Sequence, residues 1–79
     1  MGVKEDVIGV ICEVLDVAEN EVKDEQTLYD SLGVDSTEMV ELSVSLSKKF
    51  GVKLQYKEIT NKSTVSEIAD VVEKKKLNF

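Results

Sequence analysis

Asp35-Ser36-Thr37-Glu38-Met39-Val40-Glu41-Leu42-Ser43-Val44-Ser45-Leu46-Ser47-Lys48-Lys49-Phe50-Gly51 is the stretch that decides the fold. An Asp followed three residues later by a Glu is the pattern of a reciprocal cap, in which each carboxylate accepts the other residue's backbone N–H at a helix start. Met39, Leu42, Ser43, Leu46 and Phe50 then step by 3, 1, 3 and 4, which lines them along one helical face. Val40 and Val44 form an adjacent stripe, readable as core or as an exposed partner footprint. Lys48 and Lys49 fall in the last turn, where cations suit the helix dipole, and Gly51 supplies the stop.

Upstream, Val3, Val7, Val10, Ile11 and Val14 mark another helical face within Val3 to Val17, widened by Ile8 and Leu15. Cys12 sits beside this stripe and reads as a small core residue. Between the two helices, residues 18–35 form a long polar connection dotted with Val22, Leu28, Tyr29, Leu32 and Val34. Those apolar side chains predict that it lies across the core, with a turn of helix over Leu28 to Leu32 capped by Thr27. Downstream, Val52 and Leu54 share one side of an extended piece, and Tyr56 to Thr60 reads as a short helix. Thr64 and Glu67 repeat the capping pattern ahead of a last helical face of Val65, Ile68, Ala69 and Val72. The reading is all-α: a small bundle of three main helices, one short helix and a long first loop. Its core is drawn from Val7, Ile11, Val14, Met39, Leu42, Leu46, Phe50, Val65, Ile68 and Val72.

The 79 residues leave room for one domain, residues 1–79. With 42% apolar and 33% charged residues, the chain has the composition of a folded globule rather than a disordered one. Its absences narrow the chemistry. There is no His, so the commonest general base and metal ligand are missing, and a lone Cys allows neither an internal disulfide nor a zinc thiolate set. The acidic segment 19–25 lacks the spacing and central Gly of an EF-hand, so no metal site is read there. A Ser-His or Cys-His nucleophile is excluded. A small carboxylate enzyme has little chain with which to wall off a site. The lone thiol suits a reducing, cytoplasmic setting, and no stretch approaches the roughly 20 apolar residues of a membrane span.

Charge is polarised along the chain. Residues 1–18 carry −3, residues 19–41 carry −7 and residues 42–79 carry +4, for a net −6. An acidic middle repels nucleic acid and anionic membrane and calls for a basic partner surface. Ser36 stands inside that acidic stretch, in the first turn of a helix. Such a position exposes the hydroxyl, and the N–H groups and positive dipole end favour a phosphate beside it. Serine is equally common there as a plain capping residue, so this local context alone does not choose.

Leu32-Gly33-Val34-Asp35-Ser36, followed by Glu38-Met39-Val40-Glu41-Leu42, resembles the attachment site of acyl carrier proteins. The likeness runs along the whole chain, through Thr27-Leu28-Tyr29-Asp30-Ser31-Leu32, Phe50-Gly51-Val52, Ile59-Thr60 and Thr64-Val65-Ser66-Glu67-Ile68. It implies that Ser36 is esterified by 4′-phosphopantetheine from coenzyme A, through a separate phosphopantetheinyl transferase. The arm's thiol would carry acyl groups as thioesters between enzymes of fatty-acid, lipid or polyketide-type synthesis, and the carrier itself would not be an enzyme. Asp35 would help engage the transferase and its metal. Glu38 and Glu41 match acidic recognition positions, and Val40, with Met39, matches apolar contact positions. The partners implied are the transferase and acyl-loading and acyl-accepting enzymes with basic surfaces, met by a monomeric carrier.

Some residues depart from the family's usual pattern. Thr37, a further candidate partner contact, stands where Leu or Met is usual. Lys48 and Lys49 occupy a commonly acidic stretch, and Leu54-Gln55 lacks the usual proline. These point to a specialised member rather than housekeeping fatty-acid synthesis. Two other readings stay open: a peptidyl or aminoacyl carrier of a nonribosomal assembly line, and a non-catalytic helical adaptor in which Ser36 only begins a helix.

Overall fold

A computed structural model describes residues 2–23, 25–54 and 57–77. Four α-helices form: α1 (Val3–Leu15), α2 (Leu28–Leu32), α3 (Ser36–Phe50) and α4 (Val65–Leu77), with one 3₁₀ turn at Glu19–Glu21. Among the described residues there is no strand, only a single antiparallel bridge between Thr27 and Thr64. No helix there is long and apolar enough to cross a membrane.

Local chemistry sets the helix ends. The α3 cap forms as the spacing predicts: Asp35 Oδ1 accepts the Glu38 N–H at 2.8 Å, and Glu38 Oε1 accepts the Asp35 N–H at 3.1 Å. Gly51 closes α3 in the left-handed region at φ 66°. Thr64 and Glu67 form the same reciprocal pair at 3.2 and 2.9 Å ahead of α4. Thr27 Oγ1 accepts the Asp30 N–H at 3.1 Å and starts α2, which Gly33 ends at φ 66°. The first helix stops at Leu15, short of the expected Val17. Asp16 turns into the left-handed region at φ 54°, and the Val17 N–H reaches back to the Cys12 carbonyl at 3.2 Å.

The short helix expected over Tyr56–Thr60 is not found in the part that is described. Tyr56 lies outside the described residues, and Lys57–Ile59 forms turns. Among the described residues of that stretch Ile59 is the only apolar one, too little to fix a helical face. The short helix of the fold is α2 instead.

α1 packs on both α3 and α4 and serves as the spine of the bundle. Val7, Ile11, Leu42, Leu46, Val65, Ile68 and Val72 have no exposed surface, and Met39 keeps only 5%. Val14 and Phe50 were expected inside but are half-buried, because each lies near its helix end, where the neighbouring helix no longer covers it. Cys12 is also only half-buried against the core. The long first connection does lie across the bundle, with Val22, Leu28 and Val34 buried. Val40 and Val44 are about half exposed, at 51% and 49%, which assigns that stripe to the surface rather than the core.

Candidate functional site

Ser36 is the first residue of α3, and its side chain is exposed. Three local features hold it there. The capping box fixes the entry angle of the chain, and Gly33 gives the left-handed turn that separates α2 from α3. Val34, fully buried, anchors the lead-in, and its carbonyl accepts a hydrogen bond from Asn61 Nδ2 at 2.8 Å. Two further backbone bonds stitch α2 to the segment before α4: Leu28 N–H to the Ser63 carbonyl at 3.1 Å and Tyr29 N–H to the Asn61 carbonyl at 2.7 Å. The loop carrying Ser36 is thus bound to a part of the chain some 27 residues distant.

That stitching builds a groove beside the serine. Its volume is about 330 Å³, and Ser36, Thr37, Met39, Val40, Ile59, Thr60 and Asn61 line it. Met39 and Ile59 are buried and form an apolar floor, while Ser36, Thr37 and Thr60 are exposed at its edge. A larger cavity of about 530 Å³ lies around Gly51, Val52, Lys53, Glu58, Val71, Lys74 and Lys75, at the far end of α3, and contains none of the candidate residues. The groove at Ser36 brings an exposed hydroxyl at a helix start together with apolar walls.

The acidic residues divide. Asp35 and Glu41 are exposed, whereas Glu38 is half-buried with one carboxylate oxygen committed to the cap. Glu38 therefore has a structural task besides any recognition role. Tyr29, at 59% exposure, adds an apolar surface close to Asn61 that sequence reasoning placed over the core. The sequence reading also did not bring Ile59, Thr60 and Asn61 to the serine. Their spacing from it has no local period, and only the folded chain unites them.

Cys12 stands apart from this site. Its thiol is pushed up from the ordinary value, chiefly by burial and then by the carboxylates of Glu19 and Glu21. At neutral pH it is a thiol rather than a thiolate, the opposite of an activated nucleophile.

The site is an exposed serine at a capped helix start, with carboxylates around it and an apolar groove at its side, an arrangement suited to holding a covalently attached group. The comparisons agree: the chain matches the phosphopantetheine attachment site family over residues 5–72. It belongs to the acyl carrier proteins. It is 39% identical over 69 residues to the acyl carrier protein of Thermotoga maritima, covering 87% of this chain and 85% of that one. With the acyl carrier protein of Wolinella succinogenes it shares 33% identity over 76 residues, 96% of this chain and all of that one. The acyl carrier protein of Acidothermus cellulolyticus is 36% identical over 63 residues, 80% and 75% of the two chains.

Proposed function

We propose that Ser36 is the attachment point of 4′-phosphopantetheine and that the chain delivers acyl thioesters between enzymes without catalysing their chemistry. The observation that carries this reading is the coincidence at one position of an exposed hydroxyl, a helix N-terminus and an apolar groove. In the loading step the Ser36 hydroxyl loses its proton and becomes the ester oxygen. The phosphoanhydride bond of coenzyme A breaks, and 3′,5′-ADP leaves. The transferase supplies the base and the metal, because this chain has no His.

The residues present fit the group. The N–H groups of the first turn of α3 that the cap leaves open, with the positive end of the helix dipole, would favour a phosphodiester on Ser36. Asp35 offers a carboxylate beside it for the transferase's metal. Met39, Val40 and Ile59 give the arm and its cargo an apolar wall. Once attached, the arm supplies a terminal thiol that holds the acyl group as a thioester. Thr37, Val40 and Glu41 form the exposed rim that a partner meets, with Glu38 behind them. Partner enzymes are expected to bring Lys and Arg to this rim. The single domain works as a monomer in the cytoplasm, a compartment that keeps Cys12 reduced.

Intact-mass analysis tests this reading. Incubation with coenzyme A, Mg²⁺ and a broad-specificity phosphopantetheinyl transferase adds one phosphopantetheine to the protein, and peptide mapping places it on Ser36. No mass gain, or a gain at any of the other six serines, overturns it.

A further inference from the structure

Ser43 stands on the core face of α3 with 5% of its surface exposed, and its Oγ has no hydrogen-bond partner. Native interiors hold few such groups, because a buried hydroxyl left unpaired is costly. A helical serine ordinarily escapes by donating to the carbonyl four residues back. Ser47 does this, to the Ser43 carbonyl at 2.8 Å, but Ser43 makes no such bond. An apolar residue of similar size would fill the position without that cost.

Its place on the helix says what the hydroxyl is for. At 100° per residue, Ser36, Val40, Ser43 and Ser47 fall on one stripe of α3. Both ends of that stripe are fixed against the segment linking α3 to α4. Ser36 and Val40 share the groove with Ile59, and Ser47 Oγ accepts the Leu54 N–H at 3.1 Å. Ser43 lies between these two points on the helix, roughly 10 Å along the axis from Ser36 and one turn beyond the groove residues Met39 and Val40. A chain entering past Met39 and Ile59 would meet it on continuing one helical turn into the bundle.

We propose that Ser43 is a specificity-determining residue for oxygen-bearing cargo: its hydroxyl pairs with a hydroxyl or keto oxygen on the acyl chain. This rests on the carrier reading of Ser36. A saturated chain without such an oxygen leaves Ser43 unpaired, so the carrier discriminates among cargoes of equal length.

The test compares wild type and Ser43→Ala, each carrying the bare arm, an octanoyl group or a 3-hydroxyoctanoyl group, by thermal unfolding and amide NMR shifts. In wild type the hydroxylated form melts about 4–8 °C above the octanoyl form, the scale of one net hydrogen bond in a domain of this size. The amide shifts of Ser43 and Ser47 differ between the two loaded forms. In Ser43→Ala the difference vanishes or reverses, while the bare-arm form melts as wild type or higher, since no bond is lost. Equal melting of the two cargoes in wild type, or a difference that persists in Ser43→Ala, overturns the inference. A drop confined to the bare-arm form of Ser43→Ala does so too, because the paired oxygen then belongs to the arm. Mass gain on loading reports the carrier reading separately: its absence overturns both proposals, and its presence without the cargo difference overturns this one alone.

Discussion

At the scale of single residues, Ser36 and Cys12 show how position decides what a side chain does. Ser36 contributes nothing to its own cap, because Asp35 and Glu38 make both capping bonds. Ser36→Ala is therefore expected to abolish loading, read by intact mass, while the helical circular-dichroism signal is kept and the stability stays within about 0.5 kcal/mol of wild type, as for a surface change away from any special feature. Unfolding of the variant would show that the hydroxyl has a structural task. Cys12 is a different case. Burial and the carboxylates of Glu19 and Glu21 keep its thiol protonated to higher pH than in the unfolded chain. Above the ordinary thiol value the unfolded state has released its proton while the folded state still holds it, so stability falls as pH rises through that alkaline window. Below the ordinary value both states are protonated and the group adds no slope. Alkylation by iodoacetamide is expected to be slower at neutral pH than for a model thiol and to accelerate only at more alkaline pH. Equal rates at neutral pH would contradict the burial argument.

At the scale of elements, the structure separates what is written locally from what is not. The starts of α3 and α4 are legible to the residue, because a cap is a matter of three neighbours: Asp35 with Glu38, Thr64 with Glu67. The short α2 is legible through Thr27, and the core faces through their 3.6-residue period. The segment from Gly51 to Thr64 is not. Its described residues include one buried Leu and one buried Ile, and they are held by bonds to distant groups: Leu54 N–H to Ser47 Oγ and Asn61 Nδ2 to the Val34 carbonyl. The candidate site shares this division. Ser36 and its acidic neighbours can be read from one heptad of sequence, but the groove requires residues 59–61, and Asn61 carries no signal of its own. The same logic yields a prediction. Asn61→Ala leaves the buried Val34 carbonyl without its partner, which costs about 1–3 kcal/mol. Melting should fall by about 4–8 °C for each kcal/mol. The loop ahead of Ser36 loses its tether to the α4 side, so its amides should exchange faster in hydrogen exchange than those of α1. Unchanged exchange at Val34 and Asp35 would mean that the backbone bonds from Leu28 and Tyr29 suffice.

On the scale of the whole molecule, the fold turns a charge gradient along the sequence into two poles. Asp30, Asp35 and Glu41 are exposed around the Ser36 end, with Glu38 half-buried among them. Lys48 and Lys49 lie at the opposite end of α3, about 20 Å away for a helix of this length. The end of α4 joins them there: Lys76 sits 5.6 Å from the Phe50 ring, Lys75 pairs with Glu58 at 2.7 Å, and Lys53 and Lys74 flank the cavity at Gly51. Exposed charges act over roughly 8 Å at physiological ionic strength, so the basic pole is screened from a partner bound at Ser36. Each surface ion pair at that rim contributes only about 0–1 kcal/mol, yet the summed field steers encounter and sets orientation. The variant that isolates docking must spare the cap. Glu38→Lys would remove the carboxylate oxygen that accepts the Asp35 N–H, whereas Glu38→Gln keeps an acceptor and drops the charge. Glu38→Gln combined with Glu41→Lys is therefore expected to slow loading by the transferase roughly tenfold at low salt, within the range of electrostatic steering, with the circular-dichroism melt nearly unchanged. Wild-type loading should slow as salt rises, and the variant should respond less, because it has less attraction to screen. Lys48→Glu with Lys49→Glu, more than two screening lengths from the serine, should load at the wild-type rate. A loading rate indifferent to both the acidic double change and the salt concentration would rule out electrostatic docking at this rim. A rate that drops as far in the lysine variant would show that the partner's footprint reaches along the whole of α3 and touches the basic pole.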